Sequence, residues 1–148
     1  MFKFKLASVL SLKEKIEDSK KRELGAATLH QERLLSEKLE LVEKKEEVLQ
    51  EIKSHNSQVV DVKSIRAFNV YNVYIEQAIE LKNKEVQQAQ KKVEEKREEL
   101  LEAVKERKIL DNLKDIQNEV FMEEEKREEQ RILDDTVTYK YRKKGRSD

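Results

Sequence analysis

The chain has 148 residues, 43% of them charged, 36% hydrophobic and only 5% aromatic, with no cysteine, proline or tryptophan and two glycines. That composition excludes a sandwich or an α/β core, and the missing cysteines exclude disulfides and thiolate chemistry, leaving long helices or a disordered chain as the alternatives. Thirty-two basic residues balance thirty-two acidic ones, but the balance is uneven along the chain: Met1 to Arg22 and Lys140 to Asp148 both carry an excess of Lys and Arg.

The first predicted element is a helix over about residues 2–54. Its start is apolar and basic in the manner of a signal peptide, but Lys3, Lys5 and Ser8 interrupt it and a charge run opens at Lys13, so it reads as a helix beginning. Phe2, Leu6, Val9, Leu12 and Ile16 keep the three-and-four spacing of a buried helix face. The periodicity weakens from Glu17 to Gln31, where Gly25 costs about 1 kcal/mol of helix propensity, and a kink or a close approach of a partner helix is expected there. Beyond it, Leu34/Leu35, Leu41/Val42 and Val48/Leu49 repeat every seven residues, accompanied by Leu39 and Ile52.

A break is expected at about 55–64. Ser54-His55-Asn56-Ser57 competes for backbone hydrogen bonds, and Ser64 is placed to cap a second helix. That helix is expected over about 65–140. Its stripe runs Ile65, Phe68, Asn72, Ile75, Ile79, Lys82, Val86, Ala89, Val93, Lys96, Leu100, Ala103, Arg107 and Leu110, ten of the fourteen positions being apolar. This is the signature of a coiled-coil seam and not of disorder. Past Leu110 the stripe continues as Leu113, Ile116 and Val120 with Ile109 moving into it, as a stutter would produce. Glu123 to Gln130 is nearly all charged and reads as a solvated single helix. Ile132, Leu133 and Val137 form a last apolar patch before a basic tail over 141–148.

Two striped helices joined by a short connection bury their stripes by running antiparallel. The predicted fold is therefore all-α, a long antiparallel two-helix coiled coil forming one domain over 1–148, helical and monomeric in solution. Counting back from the turn pairs Met1 with a residue near Asn118 and leaves the last thirty or so residues of the second helix overhanging.

Little in the sequence suggests catalysis. His30 and His55 lie apart with no thiol to join them, so no metal site is expected. The neighbouring Asp134 and Asp135 would need a cleft to act as acid and base, and a helical hairpin offers none. Two glycines cannot build a phosphate loop, no cofactor is expected, and no stretch approaches the length needed to cross a bilayer. The basic tail is short for a nucleic-acid footprint, so no nucleic acid is expected either. Tyr71, Ile75, Ala78 and Lys82 make a second line displaced from the seam. That line is either a widening of the core or a patch for a protein partner.

The opening Phe2-Lys3-Phe4-Lys5-Leu6 with Val9-Leu10 and Lys13-Glu14, the absence of proline, the central Tyr74-Ile75-Glu76-Gln77-Ala78-Ile79 and the late Glu128-Glu129-Gln130-Arg131-Ile132-Leu133-Asp134-Asp135 together resemble the FliJ family of bacterial flagellar export. The resemblance covers nearly the whole chain. It implies a non-enzymatic cytoplasmic component of the flagellar type III export apparatus, similar to the central stalk of rotary ATPases, positioned at the inner-membrane flagellar base. The implied partners are a hexameric export ATPase, the cytoplasmic ring of the export gate, through which alone it would meet the membrane, and export chaperones. Carried over by position, gate contact falls on Tyr71, Ile75 and Ala78, with Leu41 and Val48 on the facing helix. Lys82 departs from the family's residue type. ATPase contact falls on Lys13, Lys15, Lys20 and Lys21 with Arg131, Asp134 and Asp135. The alternative is a structural coiled coil, or a type III secretion stalk or chaperone-escort relative, with other protein partners.

Overall fold

The computed structural model describes residues 1–55 and 61–146. The chain is all-α: α1 spans Ala7–His55 and α2 spans Val62–Lys144, packed antiparallel as a coiled coil with α2 overhanging. Chain composition explains the continuity, since no proline interrupts either helix and Leu, Glu, Lys and Arg lose little rotamer freedom in a helix.

Three helix ends differ from the sequence expectation. α1 begins at Ala7 and not at residue 2, after a turn in which the Ala7 amide donates to the Phe4 carbonyl at 3.2 Å. The residues ahead of it carry Phe2 to a ring contact described below. α2 is capped by Asp61 and not by Ser64: the Lys63 amide donates to Asp61 Oδ1 at 3.4 Å, and the Ser64 and Ile65 amides donate to the Asp61 carbonyl at 3.1 and 3.3 Å. An aspartate side chain accepts from the orphan amides of a first turn as well as a serine does, and Asp61 comes first in the chain. At the other end α2 runs on through residues expected to form a separate tail, and Arg142, Lys143 and Lys144 occupy its last turn. Cations there are favoured by the negative pole of the helix. Ser54 lies within α1, its hydroxyl donating to the Glu51 carbonyl at 2.7 Å. Asn56 and Ser57, read as turn residues, lie outside the described residues.

One compact unit comprises residues 18–102. From α2 its seam takes Phe68, Asn72, Ile75, Ile79, Lys82, Val86, Ala89, Val93, Lys96 and Leu100, all buried or half-buried. Ile65, expected to open that seam, is exposed. From α1 the seam takes Leu24, Ala27, Gln31, Leu34, Lys38, Leu41, Lys45, Val48 and Ile52, again at alternating three-and-four spacing. Ion pairs report the direction of the strands of this pair: Lys20 meets Glu99 at 3.0 Å while Glu23 meets Lys96 at 3.0 Å, so three residues forward on α1 is three residues back on α2. Gly25 does not serve the close approach of a partner helix expected there. The helix passes through unbroken, and a Cβ at Gly25 would meet nothing within 4 Å. Its neighbours Leu24 and Ala27 are the residues turned toward α2, so the packing face never needs the glycine.

The second unit comprises residues 1–17 and 103–148, described to 146. Leu10, Glu17 and Ala103 are buried, and Lys13, Ile16, Arg107, Leu110 and Leu113 are half-buried. The seam of α1 here runs Leu10, Lys13, Glu17, and the expected line through Leu6, Val9 and Leu12 is displaced toward solvent. The reason is phase: Leu10, Lys13 and Glu17 continue the three-and-four spacing that Lys20 and Leu24 require farther along the same helix. No stutter follows Leu110. Ile109 is 66% exposed, and Ile116 and Val120 are also exposed, whereas Phe121, eleven residues beyond Leu110 and so back on the same face, is half-buried. Its ring packs on that of Phe2 with centroids 5.8 Å apart and planes tilted by 48°. That contact ends the pairing three residues later than Asn118. From Met122 to Arg146 every residue is exposed.

Candidate partner-binding surfaces

The hairpin of residues 18–102 has a seam and two edges, and they differ chemically. Along one edge α2 places Tyr71, Ala78, Glu85, Lys92 and Glu99, a row repeating in sevens. Lys82, on the seam beside this row, reaches Glu37 of α1 at 2.7 Å and Glu85 at 3.0 Å. Lys96 likewise joins Glu23 at 3.0 Å and Glu99 at 3.3 Å, and Lys20 joins Glu99 at 3.0 Å and Glu23 at 3.5 Å, so that two lysines and two glutamates from both helices form one closed cluster. The hydrogen bond from Lys96 holds the Glu23 carboxyl below its ordinary pKa, and that from Lys82 does the same for Glu37. Correspondingly Lys82 is raised, chiefly by its bond to Glu37, and Lys96 chiefly by its bond to Glu23.

This geometry divides the line expected to meet an export gate. Ile75 is only 2% exposed and belongs to the seam, as does the half-buried Lys82. Tyr71, 36% exposed, and the half-buried Ala78 sit on the edge, where the ion-paired row gives way to apolar side chains. Leu41 and Val48 are half-buried seam residues of α1. A surface on this edge is thus reachable through Tyr71 and Ala78, with Ile75, Leu41 and Val48 supporting it from within.

The residues expected to meet an ATPase are dispersed. Lys13 is bound to Glu106 at 2.6 Å, and Lys20 belongs to the four-residue cluster. Their charges are therefore engaged between the helices. Lys15 is exposed and carries no ion pair among the described residues; Lys21 is exposed but has a partner of its own. Arg131, Asp134 and Asp135 are exposed on the overhang, Arg131 lying ten residues past Phe121, about 15 Å along the helix. Lys13 and Lys15 share a unit with them but are not brought against them. Beside them on the overhang stand Ile132, Leu133, Val137, Tyr139 and Tyr141, all exposed. The Thr136 and Thr138 hydroxyls donate to the Ile132 and Asp134 carbonyls at 2.7 and 2.8 Å, which satisfies them within the helix.

Sequence reasoning placed the polar seam residues Lys82, Lys96 and Arg107 correctly but did not find what answers them. The answer lies in α1, where Glu37, Glu23 and Glu17 occupy the mirrored positions. Glu17 is 6% exposed, held by Arg107, which also binds Asp111. Aligning the two helices antiparallel and matching sign at each polar seam position would have found all three. Phe121 was missed because the more apolar Ile116 and Val120 drew the stripe away from it.

Among the described residues no three His, Asp or Glu side chains converge as a metal site would require, and no helix is long and apolar enough to cross a membrane. What the fold and its surfaces define is a coiled-coil component whose exposed edges and unpaired helix are available to other proteins. The chain belongs to the flagellar FliJ family: the family model described as Flagellar FliJ protein matches residues 2–146. It is accordingly a structural component related to flagellar export, working with the export apparatus. Neither the curated proteins nor the solved structures gave a match.

Proposed function

We propose that the chain is a non-enzymatic stalk of the flagellar type III export apparatus, in the cytoplasm at the inner-membrane flagellar base, whose terminal unit docks in the hexameric export ATPase and whose Tyr71/Ala78 edge contacts the cytoplasmic ring of the export gate. Export chaperones are further partners in this reading. The observation that carries it is the overhang: a helix from Met122 onward with every described residue exposed, an apolar group at Ile132, Leu133 and Val137, and a basic last turn. A helix that finds no partner in its own chain and still presents bulky apolar side chains is suited to enter another protein. The charges around it favour fast, salt-sensitive engagement.

The test uses the full chain and a purified export ATPase. Ile132→Ser with Leu133→Ser, and separately Lys15→Glu with Arg131→Glu, are expected to reduce stimulation of ATP hydrolysis several-fold while leaving the melting of the hairpin unchanged. Lys13 and Lys20 are unsuited to this purpose, since reversing them breaks pairs that join the helices. Undiminished stimulation by both double variants would sink the docking. For the gate, Tyr71→Ala alone is expected to weaken binding to the gate's cytoplasmic domain without loss of helicity.

A further inference from the structure

The heptad pairs Leu34/Leu35, Leu41/Val42 and Val48/Leu49 hold more apolar surface than the seam uses. Leu34, Leu41 and Val48 face α2, but Leu35, Val42 and Leu39 remain exposed, Leu39 by 58%. At 3.6 residues per turn Leu35, Leu39 and Val42 lie within about 60° of one another on α1, and the half-buried Leu49 continues the row. They occupy the edge opposite Glu37 and the lysine clusters. Lys45 identifies that edge from the other helix, reaching Glu76 of α2 at 3.1 Å, beside the exposed Val73 and Glu80.

We propose that this second edge, centred on Leu35, Leu39 and Val42, is a docking site for a basic amphipathic α-helix of a protein partner, laid along the hairpin as a third strand of the coiled coil. The inference goes beyond the stalk reading and does not depend on it. Spacing specifies a helix: apolar groups recurring after four and three residues are matched by a partner with the same pitch. Charge specifies its sign. Glu32 and Glu46 share the heptad position of Leu39 and Glu43 borders it on the solvent side, and all three are exposed and outside any ion pair among the described residues. The nearby cations do not offset them: Lys38 and Lys45 are half-buried at the seam, Arg33 and Lys44 project from the far flank together with Glu40 and Glu47, and Lys53, on the row's own face, lies past its end at Leu49. The same charges argue against a second copy of this chain, since a twofold pairing through the edge would set two glutamate rows against each other.

The probe is a labelled three-heptad peptide with leucines at the seam positions and lysines flanking them, titrated into the full chain, with a glutamate-flanked peptide as counterpart. The lysine peptide is expected to bind in the micromolar range and to weaken as salt rises, while the glutamate peptide does not bind. Leu39→Ser should weaken binding roughly tenfold with the melting temperature unchanged, and Glu43→Lys with Glu46→Lys should reverse the preference between peptides. Tyr71→Ala, on the other edge, should have no effect, which separates this site from the gate surface. Equal binding by Leu39→Ser would reduce the interaction to charge alone and overturn the site. So would failure of both peptides to bind, or self-association of the chain that Leu39→Ser abolishes.

Discussion

The hairpin between Lys20 and Leu100 and the overhang from Met122 to Lys144 are equally helical and similarly rich in Glu, Lys and Arg, yet their charges do different things. In the hairpin, four seam lysines, Lys20, Lys45, Lys82 and Lys96, each meet a glutamate of the other helix, at 2.7 Å for Lys82 and Glu37 and 3.0 Å for Lys96 and Glu23. In the overhang Arg127 meets Glu123, one turn away on the same helix, at 3.5 Å. A charge that reaches across helices specifies register, because a slip by one heptad sets lysine against an unmatched residue. A charge that stays on its own helix specifies nothing about partners and is left to solvent or to another protein. Composition alone does not separate the two regions; the placement of charge on the seam does.

The comparison is broken most sharply at an apolar seam position. Ile75, only 2% exposed, should cost about 2 kcal/mol or more when changed to Ala, read by thermal or denaturant unfolding. Ile132→Ala, at a position 60% exposed on the overhang, should stay within about 0.5 kcal/mol of the parent. Similar losses at the two positions would mean that the overhang packs on something in the isolated chain. The seam result also bears on the gate surface: a double change of Tyr71 and Ile75 loses stability along with any binding, so Tyr71→Ala is the informative variant.

Most of the fold was legible because a three-and-four stripe depends only on side-chain type and spacing, and the α2 seam from Phe68 to Leu110 was read from that rule alone. It failed where apolar residues lie beside the seam rather than on it. Leu6, Val9 and Leu12 read as a face, but the face is Leu10, Lys13 and Glu17, two of them charged. A polar seam residue looks like a flaw until its partner on the other helix is known, and the partner lies as far as 93 residues away in the chain. Of the candidate surfaces, Tyr71 and Ala78 were legible as an edge. Lys13 and Lys20 were not legible as paired, for the same reason of distance.

A smaller effect comes from pH, and it should act on the hairpin rather than on the overhang. Glu23, Glu37 and Glu99 are each held below the ordinary glutamate value of 4.5 by hydrogen bonds from Lys96, Lys82 and Lys20. A carboxyl whose pKa is lower folded than unfolded contributes stability above the unfolded value and loses it as pH falls through the folded one. Lys20, Lys82 and Lys96 are raised above 10.5, chiefly by Glu99, Glu37 and Glu23, so their share is present below that value and lost as pH rises through the folded pKa. The melting temperature should therefore be level between about pH 5 and pH 10 and fall on both sides. In Lys82→Met with Lys96→Met the fall below pH 5 should shrink, and an unchanged acid limb would show that other carboxylates govern it.

The smallest change expected is a gain, at Gly25. The helix runs through this residue with no left-handed backbone, and the space where a Cβ would stand is open. Glycine is thus tolerated there without being required, and its cost is the extra freedom it has in the unfolded chain. Gly25→Ala should raise hairpin stability by roughly 0.5–1 kcal/mol, seen as a higher melting temperature with an unchanged helical spectrum. Position makes the test discriminating, because Gly25 follows Glu23 and Leu24, which pack toward α2, while itself facing solvent. If the seam and its ion pairs fix the register, an added methyl on the outer face leaves the Glu23 and Lys96 contact in place and the gain appears in full. A loss of stability would mean that the helix bends at Gly25 in solution, and that the lysine and glutamate cluster around Lys20 is held together by that bend rather than by a straight seam.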